Sequence, residues 1–326
     1  RKVETAMRSP QRAIQPRQTP DFRQAPLGTR IWKHRSIYLF ILPAFVWFLV
    51  FCYYPMYGLL LAFKDYKYSK GILGSAWVGL KWFRKFMADP SFWQVVMNTL
   101  KISVMKLLFT FPVPVILALM MNSLKRPRFK RVIQTISYMP HFVSWVVVAA
   151  MMQKIFSPYG GMVNEIRQAL DPGAKAVYYL GKPKYFYWFV ILSDIWKGCG
   201  WGTIIYLAAL SGIDPSLYEA AVIDGARPMQ MVARITLPLM YPTICIMLIM
   251  NLGNILNVGY EQLLQIQTTP TEHLAEVIDT YVIRKGLTSG SHSYATAIGL
   301  TKSVITLFLV VTVNRISDRF SGISLF

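Results

Sequence analysis

Residues 37–63 hold no charged side chain. Built as a helix, those 27 uncharged positions rise about 40 Å, more than the roughly 30 Å of hydrocarbon in a bilayer. The run predicts a membrane-spanning helix. It is longer than the apolar part of a signal peptide and is not followed by a small-residue cleavage site, so it is expected in the mature chain. Composition agrees: of 326 residues, 54% are hydrophobic and 15% charged, richer in apolar groups and poorer in charge than an average soluble domain.

Five further apolar stretches, 92–121, 132–156, 187–213, 237–256 and 294–313, complete an expected all-α membrane protein with six transmembrane helices. An even number of crossings puts both termini on one side. The loop 123–131 packs Lys125, Arg126, Arg128, Lys130 and Arg131 into nine residues, whereas the longer loop 157–186 has four basic residues. By the positive-inside rule the first loop and both termini are cytoplasmic. Residues 1–36 carry nine Lys or Arg against Glu4 and Asp21, with four scattered prolines, and read as a basic, largely mobile cytoplasmic tail before a transmembrane domain 37–326.

The net charge of +20 is accounted for by loops beside anionic lipid, with no separate basic domain that would indicate nucleic-acid binding. Cys52, Cys199 and Cys245 each fall in an apolar run, which implies small core side chains and no disulfide framework. The four histidines show no metal-ligand spacing and no paired carboxylates mark a glycosidase.

A polar segment, "SLYEAAVIDGARPMQMVARITLPL", lies between the fourth and fifth stretches. Asp214 followed by Pro215 predicts a capped helix start, Glu219 puts negative charge early in that helix, and Gly225 supplies a left-handed stop. Pro228 then starts a second short helix. The pair forms a cytoplasmic elbow across 214–238. An interfacial amphipathic helix fits the same local chemistry.

Glu219-Ala220-Ala221, then Gly225, then Ile235, Leu237 and Pro238 follow the pattern E-A-A, three residues, G, nine residues, I-x-L-P. This resembles the EAA loop of permease subunits from binding-protein-dependent ABC importers. "LPAFVWFLVFCYYPMYGLLLAFKDY", "DPSFWQVVMNTLKIS", "YMPHFVSWVV" and "WGTIIYLAALSGIDPSLYEAAVIDGA" extend the likeness to the carbohydrate-uptake branch, and the chain is similar to alginate-importer permeases. The resemblance implies the type I importer permease fold in a bacterial inner membrane. It implies as partners a second permease subunit, two ATPase subunits, an extracytoplasmic solute-binding protein and an oligosaccharide substrate. It assigns ATPase coupling to Glu219, Ala220, Ala221, Asp224 and Gly225. The chain has no G-x-x-x-x-G-K-[ST] phosphate loop, so ATP and Mg are expected on the partner ATPases and no cofactor on this chain. Two other classes stay open: an ion-coupled secondary transporter and a membrane glycan-processing enzyme.

Polar groups inside spans are costly and mark a cavity, a partner or a span end. Those singled out for the substrate pathway are Asn98 and Lys101, Asp194, Trp196, Lys197 and Trp201, and Asn251 with Asn254. Asp194 and Lys197, three apart, are placed to neutralise one another; interhelical hydrogen bonding competes for the asparagines. Lys101, Lys106 and Lys197 are candidate partners for uronic-acid carboxylates, while Lys154 and Lys302 sit where a lysine can snorkel. Gly198 and Gly202 have the GxxxG spacing of close helix packing. A helical segment over 271–282 carries Glu272, Glu276 and Asp279 on a solvated or binding-protein-facing side.

Overall fold

A computed structural model describes Gly28, Trp32 and residues 34–124 and 126–321. The tail expected over 1–36 therefore falls almost wholly outside the described residues. The chain divides into two compact units, the first ending at Tyr57 and the second running from Gly58. The first unit holds most of α1, Arg35–Phe63, whose side chains from Ile37 to Phe51 are almost all apolar and exposed, as a lipid-facing helix requires.

Among the described residues of the second unit the regular structure is helical apart from one short hairpin, β1 Lys64–Asp65 against β2 Ala76–Trp77, with Lys64 opposite Trp77 and Asp65 opposite Ala76. Its helices are α2 Lys81–Met87, α3 Phe92–Asn122, α4 Pro127–Phe142, α5 Trp145–Ile155, α6 Met162–Leu170 and α7 Pro183–Ser211. There follow α8 Pro215–Ile223, α9 Pro228–Gly253, α10 Tyr260–Ile266, α11 Ile278–Ile283 and α12 His292–Ser321. Among the described residues α1, α3, α9 and α12 are long and apolar enough to cross a membrane, and the bent pair α4–α5 adds at most a fifth. At 29 residues, α7 is long enough, but Lys184, Asp194, Lys197 and a glycine-rich middle make it more polar than the other four.

The expected single span 132–156 is replaced by α4 and α5, which meet at 100°. Pro140 lacks an N–H, Val143 and Ser144 are extended, and Ser144 Oγ caps the new helix by accepting from the Val147 N–H at 3.4 Å. Proline also shapes the unbroken helices. Wide π turns at 49–53, 106–110 and 232–236 each precede a proline, Pro55, Pro112 and Pro238. Each turn contains the carbonyl four residues before that proline, with which its ring would clash in a regular helix.

α7 packs along α3 and against α4. A Cβ on Gly200 would lie 1.9 Å from the Ser137 carbonyl oxygen, and one on Gly202 would lie 2.9 Å from Pro114 Cγ, while Gly198 has open space around it. The close-packing glycines are thus Gly200 and Gly202, because two different helices press on α7 from different directions. The core of that contact is Ala118, Tyr206, Leu210 and Met240.

The connection between α9 and α12 folds back along α3. Gln94 Nε2 and Asn98 Nδ2 both donate to the His273 carbonyl at 2.8 Å, and Asn98 also donates to the Glu276 carbonyl at 3.1 Å. Thr99 Oγ1 accepts from the Ile278 N–H at 3.0 Å, Ser103 Oγ donates to the Ile255 carbonyl, and Lys106 Nζ donates to the Val258 carbonyl at 2.9 Å. The row reaches about 21 Å along α3 from Phe92 at 1.5 Å per residue. Of the acidic face expected over 271–282, Glu276 pairs with Arg284 and Asp279 with Lys302 inside the chain, while Glu272 is exposed.

Where α2, α11 and α12 meet, Asp89 Oδ2 accepts from the Tyr281 hydroxyl at 2.8 Å and the Tyr294 hydroxyl at 3.0 Å. Burial opposes ionisation of Asp89, but hydrogen bonds from the Ser91 N–H and the two hydroxyls outweigh it and hold its pKa below the ordinary carboxylate value. Burial, with that carboxylate beside it, pushes the Tyr281 hydroxyl up to about 12. Because the folded pKa of Asp89 is depressed, its contribution is complete above the unfolded value near 4 and is lost as pH falls through the folded one. Asp89→Asn should lower stability at pH 7 by about 1–3 kcal/mol and flatten the loss of melting temperature between neutral and acid pH. Scanning fluorimetry of both proteins over that range checks it; equal melting curves would remove the cluster from the account.

Candidate functional site

The elbow is built from cap chemistry. Asp214 Oδ1 accepts the Ser216 N–H at 2.9 Å and Pro215 opens α8; this bond holds the Asp214 carboxyl below its usual range. At the other end the Ala226 N–H donates to the Ala221 carbonyl at 2.9 Å and the Gly225 N–H to the Val222 carbonyl at 3.0 Å, with Gly225 at φ +75°. This is a Schellman stop, and the left-handed residue it requires is the glycine. The Arg227 N–H donates to Gln230 Oε1 at 2.7 Å as the chain turns. The expected second short helix is the first turns of α9 itself, since the π turn at 232–236 carries the chain past Leu237-Pro238 without a break.

The Tyr218 hydroxyl and Thr236 Oγ1 lie 3.0 Å apart, tying α8 to the base of α9. Glu219, Ala220, Asp224 and Gly225 are exposed and Ala221 half-buried. Beside them Val222, Ile223 and Met229 are 61%, 86% and 78% exposed. A short rigid helix that displays isoleucine and methionine next to carboxylates and alanines is shaped for contact with another protein.

A second feature is a cavity of about 410 Å³ between α3, α7, α9 and the connection that follows α9. Lys106 and Thr110, one helical turn apart on α3, both lie on its wall. Lys106 Nζ meets Asp194 Oδ1 at 3.2 Å, the Val258 carbonyl at 2.9 Å and Gln262 Oε1 at 2.8 Å. Gln262 is fully buried and donates to the Val190 carbonyl at 2.6 Å and Ser193 Oγ at 2.9 Å. Asp194 is therefore neutralised by Lys106 of α3 and not by Lys197. Lys197 Nζ instead donates to the His141 carbonyl at 2.5 Å and lies 5.5 Å from the Trp145 ring centre.

Of the residues singled out in the sequence, Lys106, Asp194, Asn251 and Asn254 line this cavity. Both asparagine amides donate back along α9, to the carbonyls of Met247 at 2.8 Å and Met250 at 3.2 Å. Asn98, Lys101, Trp196, Lys197 and Trp201 are not on its wall: Asn98 holds the His273 carbonyl of the connection, Trp201 stacks on His141 with ring centres 4.5 Å apart, and Lys101 and Trp196 are exposed. Ser103, Thr110, Tyr206, Asn257 and Gln262 were not foreseen. Each is an ordinary helix or loop residue until the connection after α9 is seen to fold against α3.

A family model described as "binding-protein-dependent transport system inner membrane component" matches residues 110–322. The chain belongs to this family. It is 40% identical to LplB of Bacillus subtilis (strain 168) over 294 residues, 90% of this chain and 92% of that one. It is also 40% identical to the polygalacturonan/rhamnogalacturonan transport system permease YteP of the same organism over 291 residues, 89% and 90% of the two chains. Two crystal structures of a bacterial alginate ABC transporter match at TM-score 0.83. The first covers 90% of this chain and 99% of that chain at 39% identity, and the second, in complex with an alginate pentasaccharide-bound periplasmic protein, covers 92% and 99% at 38%. The chain is a carbohydrate ABC importer permease with the type I permease fold, a multi-pass membrane subunit and not an enzyme.

Gly225 fixes the elbow's turn, so Gly225→Ala should cost about 1–2 kcal/mol locally through the left-handed backbone it must adopt. Hydrogen exchange at the Gly225 and Ala226 amides is expected to quicken while α3 and α7 stay protected. Unchanged exchange at those amides would show that the stop does not depend on the glycine.

Proposed function

We propose that this chain is one of two permease subunits in an ATP-driven importer of oligosaccharides in a bacterial cytoplasmic membrane. The observation that carries the reading is the elbow, an exposed capped helix with an apolar tip, tied by Tyr218 and Thr236 to the helix that walls the cavity. Two ATPase subunits, which bind ATP and Mg, grip Glu219, Ala220, Ala221, Asp224 and Gly225 of the 214–238 elbow. Their closure moves α8 and the base of α9 together, and rocking of the helix bundles opens the cavity alternately to each side. A stand-alone ion-coupled transporter would have no use for such a projection.

In this reading the membrane domain spans 37–326 with six crossings, α7 and the α4–α5 pair supplying the two that length and apolarity alone do not, and both termini are cytoplasmic. The cavity wall of Asp194, Asn251 and Asn254 forms half of the sugar pathway. Lys101 and Trp196, exposed on their helices, meet the second permease or its half of that pathway, and Asn98, Lys197 and Trp201 support it from behind. An extracytoplasmic solute-binding protein delivers the cargo. Likeness to permeases described for polygalacturonan/rhamnogalacturonan and to an importer described for alginate supports an acidic oligosaccharide.

Glu219→Lys tests the coupling in the complete complex reconstituted with its ATPases and binding protein. Oligosaccharide uptake should fall on the order of tenfold or more while ATP hydrolysis continues and the melting temperature of the complex is kept. Wild-type uptake in that variant would contradict the coupling role.

A further inference from the structure

We infer that Asp194 sets the charge preference of the sugar cavity, making this half of the pathway read hydroxyl groups and not carboxylates. The inference rests on the carbohydrate pathway proposed above. Among the described residues that line the cavity, Lys106 and Asp194 are the only two with charged side chains. They face one another at 3.2 Å, so the lining has no net charge.

An ammonium group has three N–H donors and no more. Lys106 meets three acceptors within the chain: the Asp194 carboxylate, the Val258 carbonyl and the Gln262 amide oxygen. Gln262 cannot turn away to release it, because its own amide donates to Val190 and Ser193 in a fully buried site. An incoming uronate would have to displace Asp194 and leave two carboxylates around one cation, a like-charge placement that costs free energy in a partly dry cavity.

What the wall offers instead suits a hydroxyl, which both donates and accepts. Thr110 Oγ1 is buried and has no hydrogen-bond partner, a vacancy that a native interior rarely leaves. Asp194 uses one carboxylate oxygen on Lys106, and Asn251 and Asn254 bring amides. The neighbouring Lys302, which donates to Asn257 at 2.6 Å, is likewise matched by a carboxylate, Asp279. Lys197 touches Trp145 from outside the wall and already has the His141 carbonyl. An acidic glycan would therefore present its hydroxyl edge here, with its carboxylates paired elsewhere in the assembly.

The two charged residues give variants with opposite expected signs. In the permease–ATPase complex without binding protein, equilibrium binding would be measured for a galacturonic acid trimer and for its carboxyl-reduced counterpart. Asp194→Asn leaves Lys106 unneutralised and should shift the affinity ratio toward the acidic trimer on the order of tenfold relative to wild type. Lys106→Gln leaves Asp194 alone and should shift it the other way, so the inference stays testable if either variant fails to assemble. Thr110→Val should weaken both sugars alike. Ratios unchanged in both charge variants, or shifted in the same direction, would overturn the inference while leaving the transport reading intact. Failure of the wild-type complex to bind either trimer would overturn the pathway assignment and the inference together.

Discussion

Backbone N–H and C=O groups have no water to turn to inside a bilayer, and an unpaired one costs several kcal/mol. The structure depends on how that constraint is met in the connection between α9 and α12, which leaves helical geometry at Asn254 and yet lies along α3. Side chains of α3 meet it: Gln94, Asn98, Ser103 and Lys106 donate to carbonyls of the connection and Thr99 accepts one of its N–H groups. A polar stripe that looks misplaced on an apolar helix is the mould in which an irregular segment is cast. Without it the connection has no reason to enter the bundle, and the cavity loses Ile255, Asn257, Val258 and Gln262 from its wall.

The same economy governs the intramembrane charges. Lys106 holds one carboxylate and two oxygens beyond α9, the Val258 carbonyl and Gln262 Oε1, and Lys302 holds one carboxylate and Asn257 Oδ1. Both lysines thereby fasten the connection that walls the cavity, so charge neutralisation and the shape of that wall are one set of contacts. Lys106 and Thr110, four residues apart on α3, share one face of the helix and so the same wall.

Much of this was legible in local sequence, because caps and stops are made by residues within five positions of one another. Asp214, Pro215 and Gly225 predict the ends of α8, and the structure places them there. Long apolar runs predict α1, α3, α9 and α12 for an equally local reason. What was not legible depends on partners far away in the chain. Asp194 has Lys197 within one helical turn but is taken by Lys106, 88 positions earlier, since side-chain direction on packed helices outranks proximity in sequence. Spacing pointed to Gly198 and Gly202, yet Gly200 meets Ser137 because a third helix crosses there. The break at Val143 and Ser144 lies inside a stretch, 132–153, without Asp, Glu, Lys or Arg, which reads as one span.

All these parts converge on the elbow, whose α8 is ended by two caps and tied to the base of α9 by the hydroxyl pair of Tyr218 and Thr236. The most direct measurement is site-specific crosslinking from Ile223, 86% exposed at the tip of α8, to the ATPase subunits of the assembled complex. The account predicts a crosslink with and without nucleotide, persisting through turnover. Absence of any ATPase crosslink at that position in an actively transporting complex would contradict it.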